Sequence, residues 1–137
     1  MERCSRAVLI AAAVVCLAPA LPAHHAFSAE FDIKAPVTLQ GTVTRIEMVN
    51  PHGWIHIDVK GPDGKVTTWA IETAGPNTLA RRGVRKGSLP IGQVVVVTGY
   101  RAKDMSNTAA GDQVRFLDGR SFSVGAITPE TSPDAAK

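Results

Sequence analysis

The stretch Trp54-Ile55-His56-Ile57-Asp58-Val59-Lys60, closed by Pro62-Asp63-Gly64 and answered by Lys65 to Thr73, decides the fold. Ile55, Ile57 and Val59 alternate with Trp54, His56 and Asp58, the period-two pattern of a strand with one buried face. Trp69 and Ile71 continue the pattern beyond the turn, so the two segments form a hairpin. Upstream, Val37, Leu39, Gly41 and Val43 alternate with Thr38, Gln40, Thr42 and Thr44 in a strand that runs to Met48, with Gly41 a candidate bend or bulge. Asn50-Pro51-His52-Gly53 turns that strand into the hairpin. Three strands in a meander result.

Downstream, Thr78-Leu79-Ala80-Arg81-Arg82 reads as a short helical piece, capped by Asn77 or Thr78 and stopped by Gly83. Ser88-Leu89-Pro90-Ile91-Gly92 turns the chain into Gln93 to Arg101, whose valines Val94 to Val97 mark a buried strand. After a polar loop from Asp104 to Gly111, the segments Gln113 to Leu117 and Ser121 to Val124 pair across Asp118-Gly119. Three strands, a short helix and two or three further strands are the element order of the OB fold. The expected fold is therefore all-β with one short helix, a small OB-like five-stranded barrel over residues 37–126. Its core is expected from Ile55, Ile57, Val59, Trp69, Ile71 and Val94 to Val97. A small open β-sandwich is the alternative with the same strand count.

At the start of the chain, Arg3 and Arg6 precede an apolar run from Ala7 to Ala18 that is too short to span a bilayer, and Pro19 and Pro22 break it before small residues. This reads as a cleaved signal peptide over residues 1–23, with processing after Ala23 favoured over Ala20. A periplasmic or secreted protein with no transmembrane segment in the mature chain is expected. Cys4 and Cys16 leave with the signal, so neither a disulfide nor a thiolate ligand is available to the remaining 114 residues, enough for one domain. Thirteen basic against eleven acidic residues leave a net charge of +2 on that mature chain, too mild to imply a polyanion, and no nucleic-acid partner is expected. Phe27, Phe31 and Ile33 show no sustained period, so residues 24–36 read as an irregular N-terminal arm. Pro129 and Pro133 mark 127–137 as a disordered tail.

The histidines carry the functional expectation. Cleavage after Ala23 makes His24 the first residue, whose amine and imidazole chelate one metal ion, and a third nitrogen from the folded body completes a T-shaped site of the kind Cu(II) favours. His24, His25, His52 and His56 are all the histidines present and form the candidate metal ligands, with His24 and His52 the leading pair, copper the expected ion and zinc the alternative. Glu30, Asp32, Glu47 and Asp58 are candidate oxygen ligands or orienting partners, and Met48 and Met105 candidate soft ligands. The plainer reading is that His24 and His25 open a solvated arm, His52 bonds a turn carbonyl and His56 lies beside Trp54 without a ligand.

Trp54, Arg81, Arg82, Tyr100 and Arg101 support a second expectation, a binding module for a periplasmic peptide, protein or glycan without metal. The basic residues of that set also suit a helix C-terminus and a solvated loop. No cysteine nucleophile, G-x-S-x-G or phosphate loop is present, so a non-enzyme is expected.

His24-His25-Ala26-Phe27, Asn50-Pro51-His52-Gly53-Trp54-Ile55, Pro76-Asn77-Thr78-Leu79-Ala80-Arg81-Arg82-Gly83 and Val97-Thr98-Gly99-Tyr100-Arg101-Ala102-Lys103-Asp104 together resemble a family of small exported bacterial proteins catalogued as a domain of unknown function. The likeness spans nearly all of the mature chain. Ala26 stands where serine is commoner in that pattern, and Val84 where an aromatic residue often stands. The resemblance implies export and a single small β-rich domain. It brings no activity to transfer.

Overall fold

The alternation around Ile57 is realised as a hairpin in which Ile57 faces Trp69, Ile55 faces Ile71 and Trp54 faces Glu72. The computed structural model describes residues 24–126, and both the signal peptide expected over 1–23 and the tail expected over 127–137 lie outside the described residues. In chain order the elements are α1 (His24–Glu30), β1 (Phe31–Met48), β2 (Gly53–Lys60), β3 (Val66–Thr73), α2 (Pro76–Arg81), β4 (Val94–Ala102), β5 (Thr108–Phe116) and β6 (Ser121–Ser123). The chain is mostly β, with two short helices where one was expected.

Ile55, Ile57, Trp69 and Ile71 are buried with Val43, Val95, Val97, Val114 and Phe116 in one core, and Val59 packs against its edge. The valine run does not enter the core whole. Val95 and Val97 are buried while Val94 and Val96 are half-buried, because an extended backbone sends successive side chains to opposite faces. α2 starts on Pro76 with Gly75 before it and makes no side-chain cap bond, so neither Asn77 nor Thr78 caps it. Its Leu79 joins Val84 and Leu89 in the core, where the smaller Val84 is fully enclosed.

β1 pairs with β4 through its first half and with β2 through its second, which requires one long strand to bend across both neighbours. The register shift lies between Val43 and Arg45 rather than at Gly41. Gly41 serves close approach instead, since a Cβ there would lie 2.7 Å from the Asp58 carbonyl oxygen. β5 begins at Thr108, inside the segment expected as loop, and Thr108 to Ala110 pair in parallel with Ala70 to Glu72 of β3. That contact joins β1-β2-β3-β5-β4 and back to β1 into a ring of strands, with β6 hydrogen-bonded to β5 beyond it.

The N-terminal arm is not irregular. It forms α1 and the first turn-free residues of β1, because Phe27 and Phe31 find apolar surface on the outside of the ring. Their ring centroids are 5.4 Å apart, Phe27 meets Tyr100 edge-on at 6.3 Å, and Phe31 is buried with Ala102 and Ala110. The i to i+4 spacing of the two phenylalanines crosses a helix–strand junction, so it follows neither period. Among the described residues no helix is long and apolar enough to cross a membrane.

Ring closure depends on small residues where β4 and β5 cross, and a side chain at Gly99 would overlap the Ala110 carbonyl. Gly99→Ala is therefore expected to cost about 1–3 kcal/mol by overpacking, whereas Val66→Ala at an exposed position stays within about 0.5 kcal/mol. Urea unfolding followed by tryptophan fluorescence measures both, and equal midpoints for the two variants would show that the strands part there without penalty.

Candidate functional site

The outer face of β2 is set by the same alternation that builds the core: with Ile55 and Ile57 inward, Trp54 and His56 point outward. Register then brings partners to them from both sides. Trp54 faces Glu72 on β3 and Glu47 on β1, and His56 faces Ala70 and Arg45.

His52 stands one residue before β2, in a turn containing a cis Asn50–Pro51 bond. Its Nδ1 pairs with Oε1 of Glu72; the imidazole is 44% exposed while the carboxylate is only 10% exposed. A ring nitrogen that donates to a carboxylate leaves the opposite nitrogen with its lone pair when the ring is neutral, so Nε2 is the free ligand atom. Burial pushes the Glu72 carboxyl above the ordinary value of 4.5, the neighbouring His52 pulls it back, and Glu30 raises it again. Glu30 closes α1, so the helix that begins at His24 ends beside this pair. Seven residues of helix put its first Cα within about 9 Å of its last.

His56 belongs to a different cluster. Arg45 Nη2 lies 3.1 Å from His56 Nε2, Glu47 Oε1 lies 3.4 Å from the same nitrogen, and Arg45 Nη1 meets Glu47 Oε1 at 2.8 Å. A guanidinium only donates, so it engages the Nε2 lone pair and fixes the Nδ1–H tautomer, the same one His52 adopts, but with the Nε2 lone pair already taken. Among the other candidate oxygen ligands, Asp58 accepts from the Thr68 hydroxyl at 2.6 Å and Asp32 accepts from the Lys34 amide at 2.9 Å. Among the described residues no group of three or more His, Cys, Asp or Glu side chains converges to hold a metal ion.

A cavity of about 320 Å³ opens beside the pair, lined by Glu30, Trp54, Glu72, Asp104, Ser106 and Thr108 among others. Of the residues expected to form a peptide or glycan surface, only Trp54 lines it. Arg82 Nη1 donates to the Gly125 carbonyl at 2.6 Å, Arg81 Nη2 bonds Thr78 at 3.1 Å, and Tyr100 sits under Phe27. Arg101 lies with its guanidinium 5.3 Å from the Trp69 ring and donates to the Met105 carbonyl at 2.8 Å, so it braces the β4–β5 loop.

With this geometry the motifs fall in one span. A family of unknown function, DUF6152, matches residues 11–111. The chain belongs to this family. The DUF6152 match takes in His24 and His25, the Asn50–Trp54 turn, the Pro76–Gly83 segment and Val97 to Asp104, and it carries Glu72 as well. No curated protein and no solved structure matches the chain.

Glu72 carries no signature residue by residue, yet the hairpin turn contains the means to find it. Counting back from Pro62-Asp63-Gly64 sets Lys60 against Val66, and the same register sets Trp54 against Glu72. Removing the imidazole by His52→Ala takes away the group that lowers the Glu72 pKa, so that carboxyl is expected to titrate higher than in the native protein when followed by NMR. An unchanged or lower value would show that the pair has no charge coupling. Since the native value already exceeds 4.5, the Glu72 contribution to stability is present below that pH and lost as pH rises through the native pKa.

Proposed function

We propose that this protein is an exported periplasmic copper-binding protein, in which the amine and imidazole of a mature N-terminal His24 act together with His52 on an OB-like barrel. The observation that carries the reading is the His52–Glu72 pair, a turn imidazole braced through Nδ1 by a buried carboxylate with Nε2 turned loose. Carboxylate-braced histidines of this kind are how proteins orient imidazole ligands. α1 supports it further, because the helix starting at His24 terminates at Glu30 beside the same carboxylate. The signal peptide over 1–23, cut after Ala23, supplies the free amine that the chelate needs. His25 is the substitute ligand, and His56, engaged by Arg45, is the weaker one.

The barrel assignment draws on topology. The ring order β1-β2-β3-β5-β4 with α2 between β3 and β4 matches the five-stranded OB arrangement, and continuous pairing around the ring favours it over an open sandwich. In that fold the outer face of the second and third strands, with the first and fourth loops, is the binding face, and His52, Trp54 and Glu72 lie there. Binding rather than catalysis is the proposed role.

Nitrogen ligands place Cu(II) above Zn(II), and because amine and imidazole must shed protons to bind, affinity is expected to fall on acidification. Copper titration of the exported protein is compared with a form carrying one extra residue before His24 and with His52→Ala. Each change is expected to weaken Cu(II) binding at least about tenfold, the scale seen when one contributor to a metal site is lost. Equal affinity in all three, or an intact mass that does not begin at His24, would overturn the N-terminal site. A second reading, a metal-free binding module, is favoured by one observation: the cavity beside Trp54.

A further inference from the structure

We propose that the cavity enclosed by the end of α1, the outer face of β2 and β3 and the β4–β5 loop binds a small aliphatic diamine, its ammonium groups held by Glu30, Glu72 and Asp104 against the face of Trp54. Its volume of about 320 Å³ stands at the small end of pockets that take organic ligands. The charge of the wall selects the sign of the occupant. Three carboxylates line it against one lysine, and that lysine, Lys103, has its Nζ on the Ser28 carbonyl. Asp104 is fixed in place by accepting the Ser106 amide at 2.9 Å, and the Ser106 side chain first, together with that amide, holds its carboxyl below its ordinary value. Glu72 gives one oxygen to His52 and is nine-tenths buried, so its charge is poorly screened by solvent.

The spread of these groups separates an organic cation from a bare ion. Among the described side chains the carboxylates do not converge on a point where a single ion would be coordinated, whereas a ligand with two ammonium groups meets separated carboxylates one by one. Ser106 and Thr108 add hydroxyl oxygens, acceptors for the remaining ammonium hydrogens. Trp54 supplies the third element. Its indole is half-buried on the cavity wall, and the cation and ring stackings among the described residues involve Trp69, Phe116, Phe122, Phe27, Phe31 and Tyr100 but not Trp54. An indole face without a cation attracts an alkylammonium group through its quadrupole.

This site shares Glu72 with the copper reading, where that carboxylate braces His52, but the copper ligands themselves, His52 Nε2 and the residue at the start of α1, are not among its lining groups. Calorimetric titration of the intact mature protein at low ionic strength with 1,4-diaminobutane is expected to saturate at one equivalent, with no heat of binding from the neutral isostere 1,4-butanediol. Affinity is expected to drop at least tenfold in Trp54→Leu and in Glu72→Gln, and severalfold in Glu30→Gln, an exposed position whose change leaves folding intact. His52→Ala is expected to keep diamine affinity within threefold while losing copper, so the two readings fail separately. Equal binding of the diol, displacement of the diamine by an equal concentration of magnesium, or unchanged affinity in both Trp54→Leu and Glu30→Gln would overturn the proposal.

Discussion

Three residue pairs of parallel ladder, Ala70 to Glu72 against Thr108 to Ala110, close the strands into a ring, and most of what the molecule presents follows from that contact. Without it the hairpin of β2 and β3 would end in an open edge, exposing unpaired backbone groups along the strand that carries Trp69 and Ile71. The contact is possible because the crossing chain is thin. Ala109, Ala110 and Gly111 bring little side-chain bulk to β5, and Gly99 on β4 leaves room for the Ala110 carbonyl. The Ala70 amide continues the seam by donating to the Asn107 carbonyl at 3.0 Å.

The same closure makes the outer surface. Glu72 ends the parallel ladder opposite Ala110, so the β4–β5 loop with Asp104 and Ser106 is drawn up beside it, and α1 settles over Ala102 and Ala110 through Phe27 and Phe31. A carboxylate caught between these parts loses hydration, which costs far more than it would at an open surface unless a partner offsets it. His52 is that partner, delivered by the turn between β1 and β2. Arg45, Glu47 and His56 form the neighbouring cluster two rows along, where exposure lets the charges share solvent.

Much of the fold was legible because hairpins are local. The alternation in β2 and β3, the Pro62-Asp63-Gly64 turn and the Asp118-Gly119 turn bring partners together over short separations, and the inward placement of Ile55, Ile57, Trp69 and Ile71 followed from period two. The valine run misled as a continuously buried strand, since its neighbours β1 and β5 leave its outer face open at Val94 and Val96. Thr108 to Ala110 looked like loop because Ala-Ala-Gly has weak strand propensity by itself. Only a parallel partner from far along the chain makes it a strand. For the site, the histidines could be named from the sequence, but their sorting could not: His52 goes to Glu72 and His56 to Arg45 and Glu47 because of cross-strand register.

The sequence by itself determined the β-rich class, the hairpins, the inner faces of β2 and β3, and membership in a family whose motifs run from His24 to Asp104, because each of these rests on residue spacing within a few tens of positions. Tertiary structure alone decided the ring closure, the helical form of residues 24–30 and the union of Glu72 with His52. The physical reason is the same in all three. Each gains its stability from surface or charge supplied by a distant segment, and no local pattern encodes a contact whose energy exists only once that segment has arrived.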